Sequence, residues 1–167
     1  MGDPKLEDWG IKVDTLQDAV ALAGRTSRFR IRMQFDDVER FDTLCYIAMK
    51  MGNVTVAVDE ISMFTSPYWC PDNLKQIVRL GRHRNVRFIA TTQRPPDIHS
   101  LILSQAKTWY LFQMHLPRDV DYLKKFVPNI ERVMQLGTGE FILWQPEGKR
   151  TVKTTDQTPT EQSSSKS

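Results

Sequence analysis

Two short apolar runs, each closing in a polar cluster, constrain the fold of this chain more than anything else in it. "VTVAV" (54–58) runs into Asp59 and Glu60, and "VRFIA" (86–90) runs into Thr91, Thr92, Gln93 and Arg94. Between them "PDNLKQIVRLGRHR" (71–84) has helical spacing, with Pro71 near its start. Strand, crossover helix and strand make the two strands neighbours in a parallel sheet with a right-handed connection. A continuous apolar run predicts a strand covered on both faces, so 54–58 is expected to be central. Both polar clusters then fall at the carboxyl edge, where open α/β sheets bind ligands.

The rest of the chain alternates in the same way. "TLQDAVALAG" (15–24) has helical spacing and a Gly stop, and "RFRIRMQF" (28–35) alternates basic and apolar residues like a strand. Val38, Phe41, Leu44, Cys45 and Ala48 recur at helical spacing, capped by Asp36 or Asp37 and stopped at Gly52. After the Pro-Pro break come a short helix in "DIHSLILSQA" (97–106), a strand in "TWYLFQM" (108–114) and a helix in "RDVDYLKKF" (118–126). "EFILWQ" and "RTVKT" close as a hairpin. Such alternation predicts an α/β fold built on a parallel sheet, with a C-terminal β hairpin. Trp109, Tyr110 and Phe112 are expected in its core. Residues 1–152 are expected to form one domain, and the polar, Ser/Thr-rich stretch 153–167 a disordered tail.

Composition excludes little but excludes it clearly. No apolar run approaches the roughly 18 residues of a membrane span, and no signal-peptide core opens the chain. Two cysteines without CxxC spacing or ligand-spaced histidines fit a reducing compartment, so a soluble, cytoplasmic protein is the expectation. A net charge of +3 is too small to identify a nucleic-acid binder, whereas its distribution is informative. Lys75, Arg79, Arg82, Arg84 and Arg87 crowd into one segment. Arg28, Arg30 and Arg32 share one face of a strand, which suits an edge kept soluble by charge.

Asp59 and Glu60 carry the first candidate chemistry. An Asp at a strand end can hold Mg²⁺ directly or through water, because a hard cation takes oxygen ligands. A neighbouring Glu can polarise an attacking water for phosphoryl transfer. The plainer alternative is a pair of acids capping a turn. Gln93, at the end of the next strand, can hydrogen-bond a γ-phosphate or the lytic water, against the alternative of a polar turn before Pro95 and Pro96. A Mg²⁺-dependent nuclease built on Asp59 and Glu60 is weaker, since further acidic ligands are not evident. Nucleotide-hydrolysing P-loop proteins also need G-x-x-x-x-G-K-[ST], and this sequence has none.

"VTVAVDEIS", "LKQIVRLGRHRNVRFIATTQRP", "DIHSLILSQAKTWYLF" and "LGTGEFILW" together resemble the FtsK–HerA superfamily of ring-forming P-loop DNA translocases, including viral genome-packaging ATPases. "DPKLEDWG" (3–10) is similar to the Asp-Pro-Lys segment that follows the strand after the P-loop helix in that family. The resemblance covers roughly residues 3–146. It implies an ATPase core of RecA-like P-loop type lacking its N-terminal strands and Walker A region, by truncation or by degeneration.

Several expectations follow from the resemblance. ATP and Mg²⁺ are the cofactors, Asp59 organises the metal, Glu60 activates water and Gln93 senses the γ-phosphate. Thr92 joins Asp59 on the nucleotide-binding side. Arg82 or Arg84 acts in trans on a neighbour's nucleotide, the alternative being a solvated basic face, with Arg94 a further option. Double-stranded DNA is the partner, in a homo-oligomeric ring (a hexamer) in host cytoplasm or virion. Without a phosphate cradle the chain alone is expected to be inactive. A separate chain bearing Walker A, or a non-catalytic role beside an intact ATPase, is the alternative.

Overall fold

The computed structural model describes residues 10–146 and the backbone of 150–154. The Asp3-Pro4-Lys5 segment and residues 155–167 lie outside the described residues. The chain divides into two compact units, Met1–Gln93 and Arg94–Ser167.

In the first unit β1 (Ile11–Lys12) pairs in parallel with β2 (Ile31–Arg32) across α1 (Leu16–Arg25). Thr15 caps α1: its hydroxyl oxygen accepts the Asp18 N–H at 3.1 Å. The eight-residue strand expected at 28–35 contracts to Ile31–Arg32, because its partner offers only two residues to the ladder.

α2 (Val38–Met51) starts at Asp37, whose carboxylate accepts the Arg40 N–H at 2.7 Å. It buries Phe41, Cys45 and Ala48, one helical stripe. Gly52 ends it at φ 65°, a conformation that favours glycine, and a Cβ there would lie 2.8 Å from the Arg84 carbonyl oxygen.

β3 (Thr55–Val58) and β4 (Arg87–Ala90) pair in parallel, Thr55 opposite Arg87 and Val58 opposite Ala90. Between them run α3 (Asp72–Leu80) and a 3-10 turn over Gly81–Arg84. The expected strand–helix–strand unit is therefore present. One expectation fails: β3 is not covered on both faces. Val56 is buried while Thr55 and Ala57 are exposed, and β4 is its one ladder partner among the described residues. The open side of β3 borders an apolar groove of about 1060 Å³, which α1, α2 and the 27–35 segment also line. The core of this unit centres on Phe41 stacked on Phe64 at 4.2 Å, with Ile61, Leu74 and Ile77 also buried.

The second unit holds α4 (Ser100–Gln105), β5 (Trp109–Phe112), α5 (Pro117–Leu123), β6 (Glu140–Trp144) and β7 (Arg150–Thr154). Its sheet runs β5–β6–β7 and is antiparallel throughout, so the parallel arrangement belongs to the first unit only. β6 and β7 form the expected hairpin, and β7 extends to Thr154. Within β5, Trp109 and Leu111 are buried, but Tyr110 and Phe112 stand 60% and 56% exposed. Alternation along a strand sends them to the other face, so they are not core residues as expected. Arg94 opens this unit with its Nε 3.5 Å from Oδ2 of the buried Asp119.

Candidate active site at the carboxyl edge of the parallel strands

The two polar clusters meet as the strand register requires. Past the last paired residues, the Thr91 N–H donates to the Val58 carbonyl at 3.0 Å, and the Ile61 N–H donates to the Thr91 carbonyl at 2.9 Å. These bonds carry the ladder beyond Val58 and Ala90 and fix Asp59 and Glu60 against Thr91–Gln93.

Thr91 is the link between the acids. Its hydroxyl donates to Asp59 Oδ1 at 2.6 Å, and the same oxygen accepts the Glu60 N–H at 3.0 Å. Asp59 is exposed, and among the described residues its Oδ2 accepts no hydrogen bond. Hard cations take oxygen ligands, and Mg²⁺ keeps several waters while using one or two carboxylates plus substrate phosphates. A lone open carboxylate suits that role and not a cage made wholly of protein. No group of three or more His, Cys, Asp or Glu able to hold a metal occurs among the described residues.

Glu60 is placed differently. Its backbone is left-handed, at φ 53° and ψ 71°, a conformation uncommon for a residue with a Cβ other than Asn or Asp. The turn swings its carboxylate toward β4. Oε1 accepts from the Thr92 hydroxyl at 3.1 Å and from the Ser62 hydroxyl at 2.5 Å, and Oε2 accepts the Gln93 N–H at 3.1 Å. The Gln93 side chain itself is exposed. Asp59, Glu60, Thr92 and Gln93 are thus brought together at one edge. Such an edge can hold a hydrated cation beside a fixed carboxylate, which is what water attack on a phosphoryl group requires.

The two basic-turn arginines are separated by their contacts. The Arg84 guanidinium donates to the carbonyls of Met49 at 3.3 Å and Lys50 at 3.0 Å, the last turn of α2. It satisfies orphan carbonyls and sets positive charge at the negative end of that helix. Arg82 is exposed and donates to His83 Nε2 at 3.4 Å. Sequence reasoning missed Thr91 and Ser62. Both were visible as hydroxyl residues flanking the clusters, but their roles depend on the left-handed turn at Glu60.

No protein-family model matches the chain, and no curated protein matches it in sequence. Solved structures do. The genome packaging NTPase B204 from Sulfolobus turreted icosahedral virus 2, in complex with ATP-gammaS, superposes with a TM-score of 0.75 at 18% identity, over 89% of this chain and 74% of that chain. Its AMPPCP complex gives 0.74 at 18% identity over the same shares, 89% and 74%. B204, the DNA-packaging ATPase from Sulfolobus turreted icosahedral virus, gives 0.73 at 20% identity over 93% of this chain and 78% of that chain. These neighbours are genome-packaging proteins of viruses. At such identities the likeness establishes the fold alone: this chain has the α/β architecture of a portion of a P-loop NTPase fold.

Proposed function

We propose that this chain is part of an ATP-driven motor that packages or translocates double-stranded DNA. In it Asp59 holds Mg²⁺ on the nucleotide, Glu60 orients and deprotonates the attacking water, and Gln93 reports the γ-phosphate. Thr92 fixes Glu60 from the neighbouring strand. The observation that carries the reading is the Glu60 carboxylate, held by bonds from Ser62, Thr92 and Gln93 beside an open Asp59 at a strand edge. Bound Mg²⁺ would neutralise charge on the phosphates. The sequence has no G-x-x-x-x-G-K-[ST], so on this reading the phosphate cradle is not supplied by these 167 residues. In a homo-oligomeric ring, Arg82 is the basic-turn arginine able to act on a neighbour's nucleotide, since Arg84 is spent on α2.

The missing P-loop motif also favours a second reading, a non-catalytic partner of an intact ATPase. One experiment separates them: Mg²⁺-dependent ATP hydrolysis by the native assembly recovered through a tag on this chain, with and without double-stranded DNA. Under the first reading DNA stimulates hydrolysis, and Asp59→Asn raises the Mg²⁺ needed for half-maximal rate by about tenfold or abolishes the rate. Undiminished hydrolysis at ordinary Mg²⁺ in Asp59→Asn assigns catalysis to a partner.

A further inference from the structure

The geometry points to Ser62 as a positioning residue that selects which oxygen of Glu60 takes the proton from water. This inference rests on the proposed role of Glu60 and goes beyond it. A carboxylate has about four lone-pair sites, two on each oxygen. On Oε1 both are taken, one by the Ser62 hydroxyl at 2.5 Å and one by the Thr92 hydroxyl at 3.1 Å. On Oε2 the Gln93 N–H takes one at 3.1 Å. Among the described residues one site remains, on the oxygen beside Gln93, the residue proposed to report the γ-phosphate.

Ser62 can do this because of where the chain puts it. The 3-10 turn Ile61–Met63 follows the left-handed Glu60 directly, so a hydroxyl two residues on folds back over the carboxylate. The turn cannot drift, since Ile61 is 1% exposed and its N–H is bound to the Thr91 carbonyl at 2.9 Å. Ser62 approaches from the β3 side and Thr92 from the β4 side, so together they stop rotation of the carboxyl group. Thr92 alone leaves Oε1 one open site, and either oxygen can then face the water.

The test is steady-state ATP hydrolysis by the native assembly carrying Ser62→Ala, Ser62→Thr, Glu60→Gln, or Ser62→Ala with Glu60→Gln. Ser62→Ala is expected to lower kcat by about tenfold, the rate equivalent of one lost positioning bond, with KM for ATP and thermal unfolding unchanged. Ser62→Thr restores the rate, because the hydroxyl returns. The double variant is no slower than Glu60→Gln alone, as expected when one residue acts through the other. If Glu60→Gln is inactive while Ser62→Ala turns over normally, Ser62 has no such role and the reading of Glu60 stands. If Glu60→Gln matches wild type, or the assembly hydrolyses no ATP, the reading of Glu60 fails and this inference falls with it. A Ser62→Ala that loses stability and rate together, without rescue by Thr, assigns Ser62 to folding and overturns the proposal.

Discussion

Asp42 binds Asn73 at two points and the following Leu74 at a third. Asp42 Oδ1 accepts the Asn73 N–H at 2.9 Å and the Leu74 N–H at 3.2 Å, while Oδ2 accepts the Asn73 side-chain amide at 2.8 Å. α3 begins after Pro71, which offers no side-chain cap, so a carboxylate from the middle of α2 satisfies its first free N–H groups. The negative charge also sits at the positive end of the α3 dipole. Since α3 is the crossover between β3 and β4, this contact holds the two strands that carry the site.

Asp42→Ala should therefore cost stability out of proportion to its part-buried position. Losing a charged acceptor to several N–H groups costs about 2 kcal/mol. For a chain of this size that lowers Tm by about 5 °C. Thermal unfolding followed by circular dichroism checks it; Asp42→Asn, which keeps one acceptor oxygen, should lose less.

Arg82 and Arg84 should part company under mutation. Arg84→Met removes the donors on Met49 and Lys50 and should destabilise by about 1 kcal/mol. Arg82→Ala, on an exposed side chain, should leave the urea midpoint within about 0.5 kcal/mol of wild type. If Arg82 acts in trans, that variant still loses hydrolysis in the assembled ring.

Gly52 faces the same contact from the other side. With φ at 65° and a Cβ 2.8 Å from the Arg84 carbonyl oxygen, Gly52→Ala meets strain and a backbone clash together. A loss of about 2 kcal/mol in urea unfolding is expected, whereas Gly24→Ala, inside α1 where a Cβ meets nothing within 4 Å, should stabilise by about 0.5 kcal/mol.

The two free thiols make stability fall at alkaline pH. Burial, then the Asp42 charge, pushes Cys45 far above its ordinary 9.0; burial, partly offset by Lys75, pushes Cys70 up to about 11. Both shifts favour the neutral thiol in the folded chain. Their contribution is fully present below pH 9 and is lost as pH rises through the folded values. Between pH 9 and 11 each thiol then adds a slope of up to about 1.4 kcal/mol per pH unit. Urea midpoints at pH 8.5 and 10 should show the decline, shallower in Cys70→Ala. At pH 8 native Cys70 should react with iodoacetamide about 100-fold more slowly than in the urea-unfolded chain.

What the sequence revealed is what local pattern controls. α2 is legible end to end, because the Asp37 cap, the 41–45–48 stripe and the Gly52 stop are all local signals. The β3–α3–β4 unit is legible because two apolar runs flank one helical period. The strand at 28–35 was overread, since alternation gives a strand's faces but not the length of its partner. Tyr110 and Phe112 were misplaced by treating an aromatic run as uniformly buried when period-two alternation splits it. Asp42 was illegible because its bonds lie 31 and 32 residues away. At the site, Asp59, Glu60 and Gln93 were visible as strand-end polar residues, whereas Ser62 and Thr91 needed the left-handed turn to be known.

If Glu60 is the base that acts on water, as proposed, binding and turnover should separate at that residue. In the native assembly, ATP affinity and ATP hydrolysis should be measured side by side for wild type and Glu60→Gln. The amide keeps the size of the side chain and can still accept bonds from Ser62 and Thr92, but it cannot take a proton. The account predicts affinity within a few-fold of wild type and a kcat lower by about 100-fold or more. A Glu60→Gln assembly that hydrolyses ATP at the wild-type rate contradicts it.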